Sequence, residues 1–225
     1  MPRYTLVIGN KNYSSWSLRA WLAMRQAGID FDEVRVPLFE DGYKALIERY
    51  SPAGKVPVLV AGDITVWESL AICEFLAEQH PEKQLWPAAA RARAQARTIC
   101  AEMHAGFSAL RNAMPMNIRS SHPGKGMTPE VGRDIARIIA IWEQCRADYG
   151  QGGEMLFGQP TIADAYYAPV VMRFMTYAVD LPPLPRRYAE AVRSLPAVAE
   201  WMSAARRETE FVAEDEPYAK AIGEL

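Results

Sequence analysis

The sequence predicts a two-part fold: an α/β unit over roughly the first 80 residues, followed by an all-helical unit. Three observations predict it. Up to Glu78, β-rich apolar segments alternate with amphipathic ones. Beyond Arg91, apolar residues recur at helical spacing and strand patterns almost vanish. Between the two, Pro81 and Pro87 bracket a stretch without periodicity, His80-Pro81-Glu82-Lys83-Gln84-Leu85-Trp86-Pro87. The domains are accordingly drawn as 1–80 and 92–225, joined by a linker at 81–91.

Each element of the first unit has its own signal. Tyr4 to Gly9 is β-rich and reads as a strand. Ser15 to Ala27 carries Leu18, Trp21, Leu22 and Arg25 at helical spacing, and Gly28 follows as a C-terminal cap. Phe31 to Leu38 alternates, with Val34 and Val36 on one face and Glu33 and Arg35 on the other. Gly42 to Arg49 is a short helix. Val56 to Ala61 and Ile64 to Trp67 are strands joined at Gly62-Asp63, a hairpin turn signal, and Ser69 to Glu78 is a helix. The right-handed crossover rule makes the first two strands parallel, and the hairpin adds an antiparallel edge. The result is a thioredoxin-like layout.

In the second unit, Ile99, Met103, Phe107, Leu110 and Met114 fall on one face of a helix predicted over Ala92 to Met114. Ile135, Ile138, Ile139, Trp142 and Cys145 do the same for Arg133 to Tyr149. Further helices are predicted at Ile162–Tyr177, Pro185–Ser194 and Ala197–Thr209, giving a helical bundle. Thr161 and Asp164 form a capping box ahead of the first of these, with a structural role. Ser120 to Pro129, rich in Pro and Gly, is expected to be a mobile connection.

Composition limits the function. The chain has 225 residues, 50% of them hydrophobic, which suffices for well-buried cores. A net charge of −2 leaves no basic surface for nucleic acid or anionic membrane. Cys73, Cys100 and Cys145 are odd in number and form neither a metal-ligand nor a CxxC pattern, so they are expected as buried reduced thiols. The histidines are scattered, and His104 is expected to be a partly buried helix residue. No metal site, GxGxxG or P-loop is present in the sequence. With no signal-peptide h-region in MPRYTLVIGN and no apolar run of about 20 residues, a cytoplasmic protein is expected.

Three local motifs carry chemistry. Ser14-Ser15-Trp16-Ser17-Leu18-Arg19 lies where the first strand meets the first helix. Its hydroxyls either cap the helix or hold an anion at its positive end. Val56-Pro57 within Ser51–Leu59 is a candidate cis bond that turns the Val56 amide outward to pair with an extended ligand; the alternative is an edge-strand proline in an ordinary turn. Glu68-Ser69 stands at a strand-to-helix junction. Ser69 either caps the helix or joins Glu68 in holding a carboxylate and an ammonium on one carbon.

In chain order, these motifs, the Leu85-Trp86-Pro87 linker and the Thr161/Asp164 box resemble the cytosolic glutathione S-transferase superfamily over essentially the whole chain. Ser14 to Arg19 resembles the Ser-Ser-Cys-x-x-Arg motif of the zeta class, and more loosely the theta and delta serine. The likeness is to bacterial, serine-type, zeta/theta-like members. It implies glutathione transferase architecture and a glutathione-binding first domain. Val56 and Pro57 would meet the cysteinyl backbone, Glu68 and Ser69 the γ-glutamyl end, and Lys55 the glycyl carboxylate. A serine would donate to the sulfur. The zeta pattern points to Ser14, the theta and delta pattern to Ser15, and Ser14 is favoured over Ser15. Ser17 falls inside the first helical turn and is set aside.

The resemblance implies conjugation of the glutathione thiolate to small, largely apolar electrophiles, with peroxidase as a side activity and detoxification as the role. Glutathione is the co-substrate and no metal is needed. Trp16, Met103, Phe107, Leu110 and Tyr177 are the candidates for the electrophile pocket. Two departures from the zeta pattern count against maleylacetoacetate isomerase activity. Trp16 replaces the motif's cysteine, and an ungapped match anchored on Pro169 puts Thr176 at the carboxylate-binding arginine, with Arg173 nearby but out of register. A non-catalytic binding module is the other alternative. A thiol oxidoreductase is disfavoured because no cysteine stands at the first helix. Homodimerisation is expected from the resemblance, with no nucleic-acid or membrane partner.

Overall fold

The computed structural model describes residues 4–219. Its first unit is a sheet of β1 (Tyr4–Ile8), β2 (Phe31–Arg35), β3 (Val58–Ala61) and β4 (Ile64–Trp67), in the order β2-β1-β3-β4. β1 runs parallel to β2 with Leu6 opposite Glu33, and antiparallel to β3 with Leu6 opposite Leu59. The period-2 alternation of a strand sorts β1 between two cores. Tyr4, Leu6 and Ile8 face α1 (Ser15–Gln26) and α3 (Ser69–Gln79), whereas Val7 joins Val36, Val58 and Ile47 of α2 (Tyr43–Glu48). β2 is shorter than its pattern predicts. One more ladder bond, Val36 N–H to Ile8 O at 2.8 Å, is followed by Pro37, which has no N–H to give.

The second unit comprises α4 (Ala90–Ala105), α5 (Ser108–Ala113), α6 (Pro129–Tyr149), α7 (Ile162–Thr176), α8 (Pro183–Ser194) and α9 (Pro196–Arg207). α7 is its central helix and packs on both α1 and α4. The predicted capping box starts it. Asp164 accepts the Thr161 N–H at 2.8 Å, while Thr161 Oγ1 accepts the Ala163 N–H at 3.2 Å. The linker docks rather than dangles, because Trp86 Nε1 donates to Glu74 at 3.1 Å and Ile162 N–H to Leu85 O at 2.9 Å.

Two expectations need correction. The helix predicted over Ala92 to Met114 is broken: α4 stops at Gly106, and Phe107 takes φ +60° before α5 restarts. A Cβ on Gly106 would stand 2.9 Å from Glu102 O, so the close approach suits a glycine. Asp134 of α6 supplies the missing cap by accepting the Leu110 N–H at 2.9 Å. The connection at Ser120–Pro129 is tied down, with His122 N–H on Thr176 O at 2.7 Å and Gly124 N–H on Tyr177 O at 3.0 Å. Among the described residues no helix is long and apolar enough to cross a membrane.

Candidate functional site

The turn from β1 into α1 is held by the helical unit. Asn12 Nδ2 donates to Asn117 Oδ1 at 2.9 Å, and Trp201 Nε1 to Lys11 O at 2.9 Å. The Glu208 carboxylate accepts the N–H groups of Lys11 and Asn12 at 2.7 and 2.9 Å. These bonds fix where α1 begins. Ser14 is its N-cap: the Oγ accepts the Ser17 N–H at 3.3 Å and donates its own proton to Ser17 Oγ at 2.8 Å. Ser17 Oγ in turn accepts the Gly9 N–H at 3.0 Å, leaving Ser17 buried and inward. Ser15 is the first helical residue. Its Oγ accepts from Arg173 Nη2 at 3.4 Å, and among the described residues its proton has no acceptor.

Two cavities meet at Trp16. The first, about 400 Å³, is lined by Lys55, Val56, Pro57, Trp67, Glu68, Ser69 and His104 besides Trp16. It gathers all five residues that the resemblance assigns to the glutathione peptide. The Val56–Pro57 bond is cis. Glu68, not Ser69, occupies the N-cap position of α3, with φ +67°, where a side chain is disfavoured. Ser69 is buried and its hydroxyl lies 2.9 Å from Tyr166 Oη. His104, which the sequence gave no special place, lines the same cavity, with Nδ1 3.3 Å from Tyr166 Oη and Nε2 3.6 Å from Glu68. Burial, then Arg19, holds its imidazole below the ordinary histidine range despite Glu68, so it is neutral at pH 7.

The second cavity, about 390 Å³, is lined by Asn10, Tyr13, Ser14, Ser15 and Trp16 from the α1 turn, by Leu38 and Phe39 after β2, by Tyr43 and Ile47 of α2, and by Gly54. Arg111 of α5, Arg173 of α7, and Val212 and Asp215 of the C-terminal segment complete its walls, and Lys55 and Val56 are shared with the first cavity. Trp16 supports two guanidiniums, Arg19 at 4.3 Å and Arg111 at 4.9 Å from the ring centroid. Arg19 is fully buried between Trp16 and Tyr166, and its terminal nitrogens lack hydrogen-bond partners. Arg111 is anchored on the backbone oxygens of Gly106 and Met103. Arg173 bonds Met114 O at 3.0 Å. Burial lowers Arg19 to about 10 and Arg173 to about 9, so both keep their charge at pH 7. Two guanidiniums, an unspent hydroxyl and the Asp215 carboxylate thus share one cavity.

The remaining pocket candidates lie elsewhere. Met103, Leu110 and Tyr177 are buried in the core, and Phe107 nearly so; none lines either cavity. Tyr177 Oη donates to Pro115 O at 3.2 Å. The apolar face that marked these residues is the packing face of their helices, and Trp16 alone of the five reaches both cavities. Thr176 is turned away as well, donating to Asn117 O at 2.7 Å, whereas Arg173 supplies the cavity's guanidinium. Arg111 and Asp215 had no signal of their own in the sequence, although Gly106 marks the break that sets the course of α5. Cys73, Cys100 and Cys145 are buried, their thiols pushed up by burial, Cys73 and Cys145 to about 12.

The chain matches two family models, "Glutathione S-transferase, N-terminal domain" over residues 13–79 and "Glutathione S-transferase, C-terminal domain" over 128–204. A probable maleylacetoacetate isomerase of Caenorhabditis elegans is 28% identical, over 81% of this chain and 85% of that protein. A maleylpyruvate isomerase of Ralstonia is 28% identical, over 88% and 95%. A solved maleylpyruvate isomerase, described as a bacterial zeta-class glutathione transferase, has a TM-score of 0.67 at 26% identity, covering 92% of this chain and 100% of that one. A glutathione transferase homologue from Burkholderia, solved with bound glutathione, shares the fold at a TM-score of 0.70 and 23% identity, covering 91% and 98%.

Proposed function

The chain belongs to the glutathione S-transferase family, and we propose that it is a glutathione-dependent enzyme whose bound thiolate attacks a small, carboxylate-bearing electrophile. The observation that carries this is the placement of Arg111 and Arg173 in a cavity that Ser15 lines and that adjoins the Glu68–Ser69 cavity. It replaces the expectation of a largely apolar substrate, because the wall that was to be apolar carries two guanidiniums.

Glutathione occupies the first cavity. Its γ-glutamyl ammonium meets Glu68, its γ-glutamyl carboxylate meets Ser69 and the N–H groups of α3, the Val56 amide pairs with the cysteinyl backbone, and Lys55 meets the glycyl carboxylate. The sulfur then lies at the α1 N-terminus, beside Trp16. We assign the sulfur contact to Ser15 rather than Ser14, because the Ser14 proton is spent on Ser17 while Ser15 keeps its proton and has Arg173 behind its oxygen. A free thiol has a pKa of about 8.5. One hydrogen bond to the anion contributes about 1.5–3 kcal/mol and a helix N-terminus about 0.3–1 kcal/mol, which brings the thiol to roughly 6–7. Ser15 acts as donor, not base.

The curated relatives named above favour a second outcome from the same site. A thiolate that adds to a cis-alkene between carbonyl groups leaves a single bond free to rotate, and expulsion of the thiolate then releases the trans isomer. Nothing is consumed, and the same arginines hold the acid groups. The departure at Thr176 no longer counts against this outcome, since Arg173 stands in the cavity. The protein is further proposed to be cytoplasmic and a homodimer, edge strand β4 with its exposed Ile64 being open to a second copy.

The test pairs Ser15→Ala with Ser14→Ala, following thiolate absorbance of bound glutathione against pH. Ser15→Ala is expected to raise the bound thiol by about 1–2 pH units and cut kcat/KM at pH 6.5 by about 10–100-fold. Ser14→Ala should move the thiol far less. Equal, small effects in both variants would overturn the serine assignment, and calorimetry showing no glutathione binding would return the chain to a non-catalytic module. Product analysis with a cis-unsaturated dicarboxylate separates a thioether adduct from a released trans isomer.

A further inference from the structure

The C-terminal segment after α9 returns across the α1 turn and sets one carboxylate in the second cavity, near Arg173. The residues beside it are pinned: Tyr13 Oη donates to Glu216 at 2.7 Å, and Tyr218 Oη to Ala113 O at 2.8 Å. Arg119 reinforces the same stretch by donating to Glu210 O at 2.7 Å. Asp215 between them lines the second cavity with Ser15, Arg111 and Arg173. It is half-buried, and among the described residues its carboxylate has no hydrogen-bond or ion-pair partner. A carboxylate left without a short ion pair in the field of Arg173 is unusual, because such a pair would offset its desolvation.

We infer that Asp215 is a specificity-determining residue, its carboxylate opposing the substrate's acid group in the cavity of Arg111 and Arg173 and admitting it only when protonated. This rests on the anion-binding assignment of the second cavity. With Asp215 ionised, the cavity holds two guanidiniums and one carboxylate, and an incoming dianion meets that carboxylate. With Asp215 protonated, both guanidiniums are open to the ligand and the carboxyl proton is itself a donor to it. The groups around Asp215 support this role. Arg173 stabilises its anion, while Glu214 and Glu216 on its own segment oppose it; Tyr177 lies near it as a neutral phenol, and the Tyr13 hydroxyl of the same cavity is committed to Glu216. Burial is the largest influence and raises the carboxyl to about 6. The sign follows. Below about pH 6 the proton is on and dianions bind tightly; above it the proton leaves and they bind weakly.

The test is calorimetric binding of fumarate to the full chain without glutathione, between pH 5.5 and 7.5. Fumarate's carboxyls belong to the ordinary carboxyl class, ionising near pH 4. The wild-type Kd is expected to rise about 25-fold across that range, following the fraction of protein in the protonated form. Asp215→Asn should bind at every pH about as tightly as the wild type does at pH 5.5, which also shows that the variant is folded. Asp215→Glu should keep the slope. Fumarate binding with the same slope in Asp215→Asn, or with no slope in the wild type, overturns the inference and leaves the anion cavity standing. No fumarate binding at any pH in any of the three proteins overturns the anion cavity and the inference together.

Discussion

The two cavities on either side of Trp16 are drawn from the chain in opposite ways. All but two of the residues lining the first, Trp16 and His104, fall between Lys55 and Ser69, one hairpin and its flanking turns. The second is assembled from the α1 turn, the segment after β2, α2, the turn at Gly54 to Val56, α5, α7 and the C-terminal segment, which meet only once both units have folded. A wall set by one hairpin is fixed by local backbone chemistry. A wall gathered from many segments is changed by a substitution on any of them without disturbing the rest. The division suits a site that keeps one co-substrate constant in the first cavity and sets the choice of the other in the second.

The largest expected effect falls on the assembled side. Arg111→Gln removes one of the two guanidiniums facing the substrate. Charged hydrogen bonds contribute about 1.5–3 kcal/mol, so kcat/KM for a carboxylate-bearing electrophile should fall by about 10–100-fold. The glutathione Kd should stay within about two-fold, since Arg111 does not line the first cavity. A neutral electrophile assayed in parallel should lose far less. Equal losses for charged and neutral electrophiles would erase the distinction between the cavities.

The converse substitution, Glu68→Gln, acts on the hairpin side. It preserves the shape and the φ +67° backbone but replaces a charge-assisted contact to the ligand's ammonium with a neutral one. The difference, about 1 kcal/mol, should weaken glutathione binding about five-fold by calorimetry. The preference between charged and neutral electrophiles should not move. A changed preference would mean that the two cavities are not separable at Trp16.

Legibility in the sequence follows the same division. The hairpin at Gly62-Asp63, the Val56-Pro57 turn and the Thr161/Asp164 box were readable because each is fixed by neighbours in sequence, and the parallel pair because the handed crossover through α1 leaves little choice. Met103, Phe107 and Leu110 misled for a physical reason. A stripe of apolar residues says that a helix buries one face, not whether the other side of that contact is a ligand or a neighbouring helix. The break at Gly106 was hidden because Phe107 and Leu110 continue the period of Ile99 and Met103 through it. Arg173 was discounted for register alone. Its long stem carries the guanidinium to the cavity even though Thr176, three residues on, is turned away from it. Asp215 had no sequence signal, since its role comes from a segment returning across the fold.

The smallest expected effect tests the wall itself. Trp16 carries Arg111 on its ring while Arg111 also holds two backbone oxygens, so the ring is one of several supports. Phenylalanine keeps a π-face but a weaker one, and at partly exposed sites cation–π contacts contribute about 0.5–1 kcal/mol. Trp16→Phe should therefore lower the preference for carboxylate-bearing over neutral electrophiles by about two- to five-fold. If that loss arises through Arg111, it should shrink in the Arg111→Gln background, giving a coupling of about 0.5 kcal/mol or more in a double-mutant cycle on kcat/KM. Strict additivity would show that Trp16 contributes only volume to the partition, and that its stacking on Arg111 does not set the guanidinium's position.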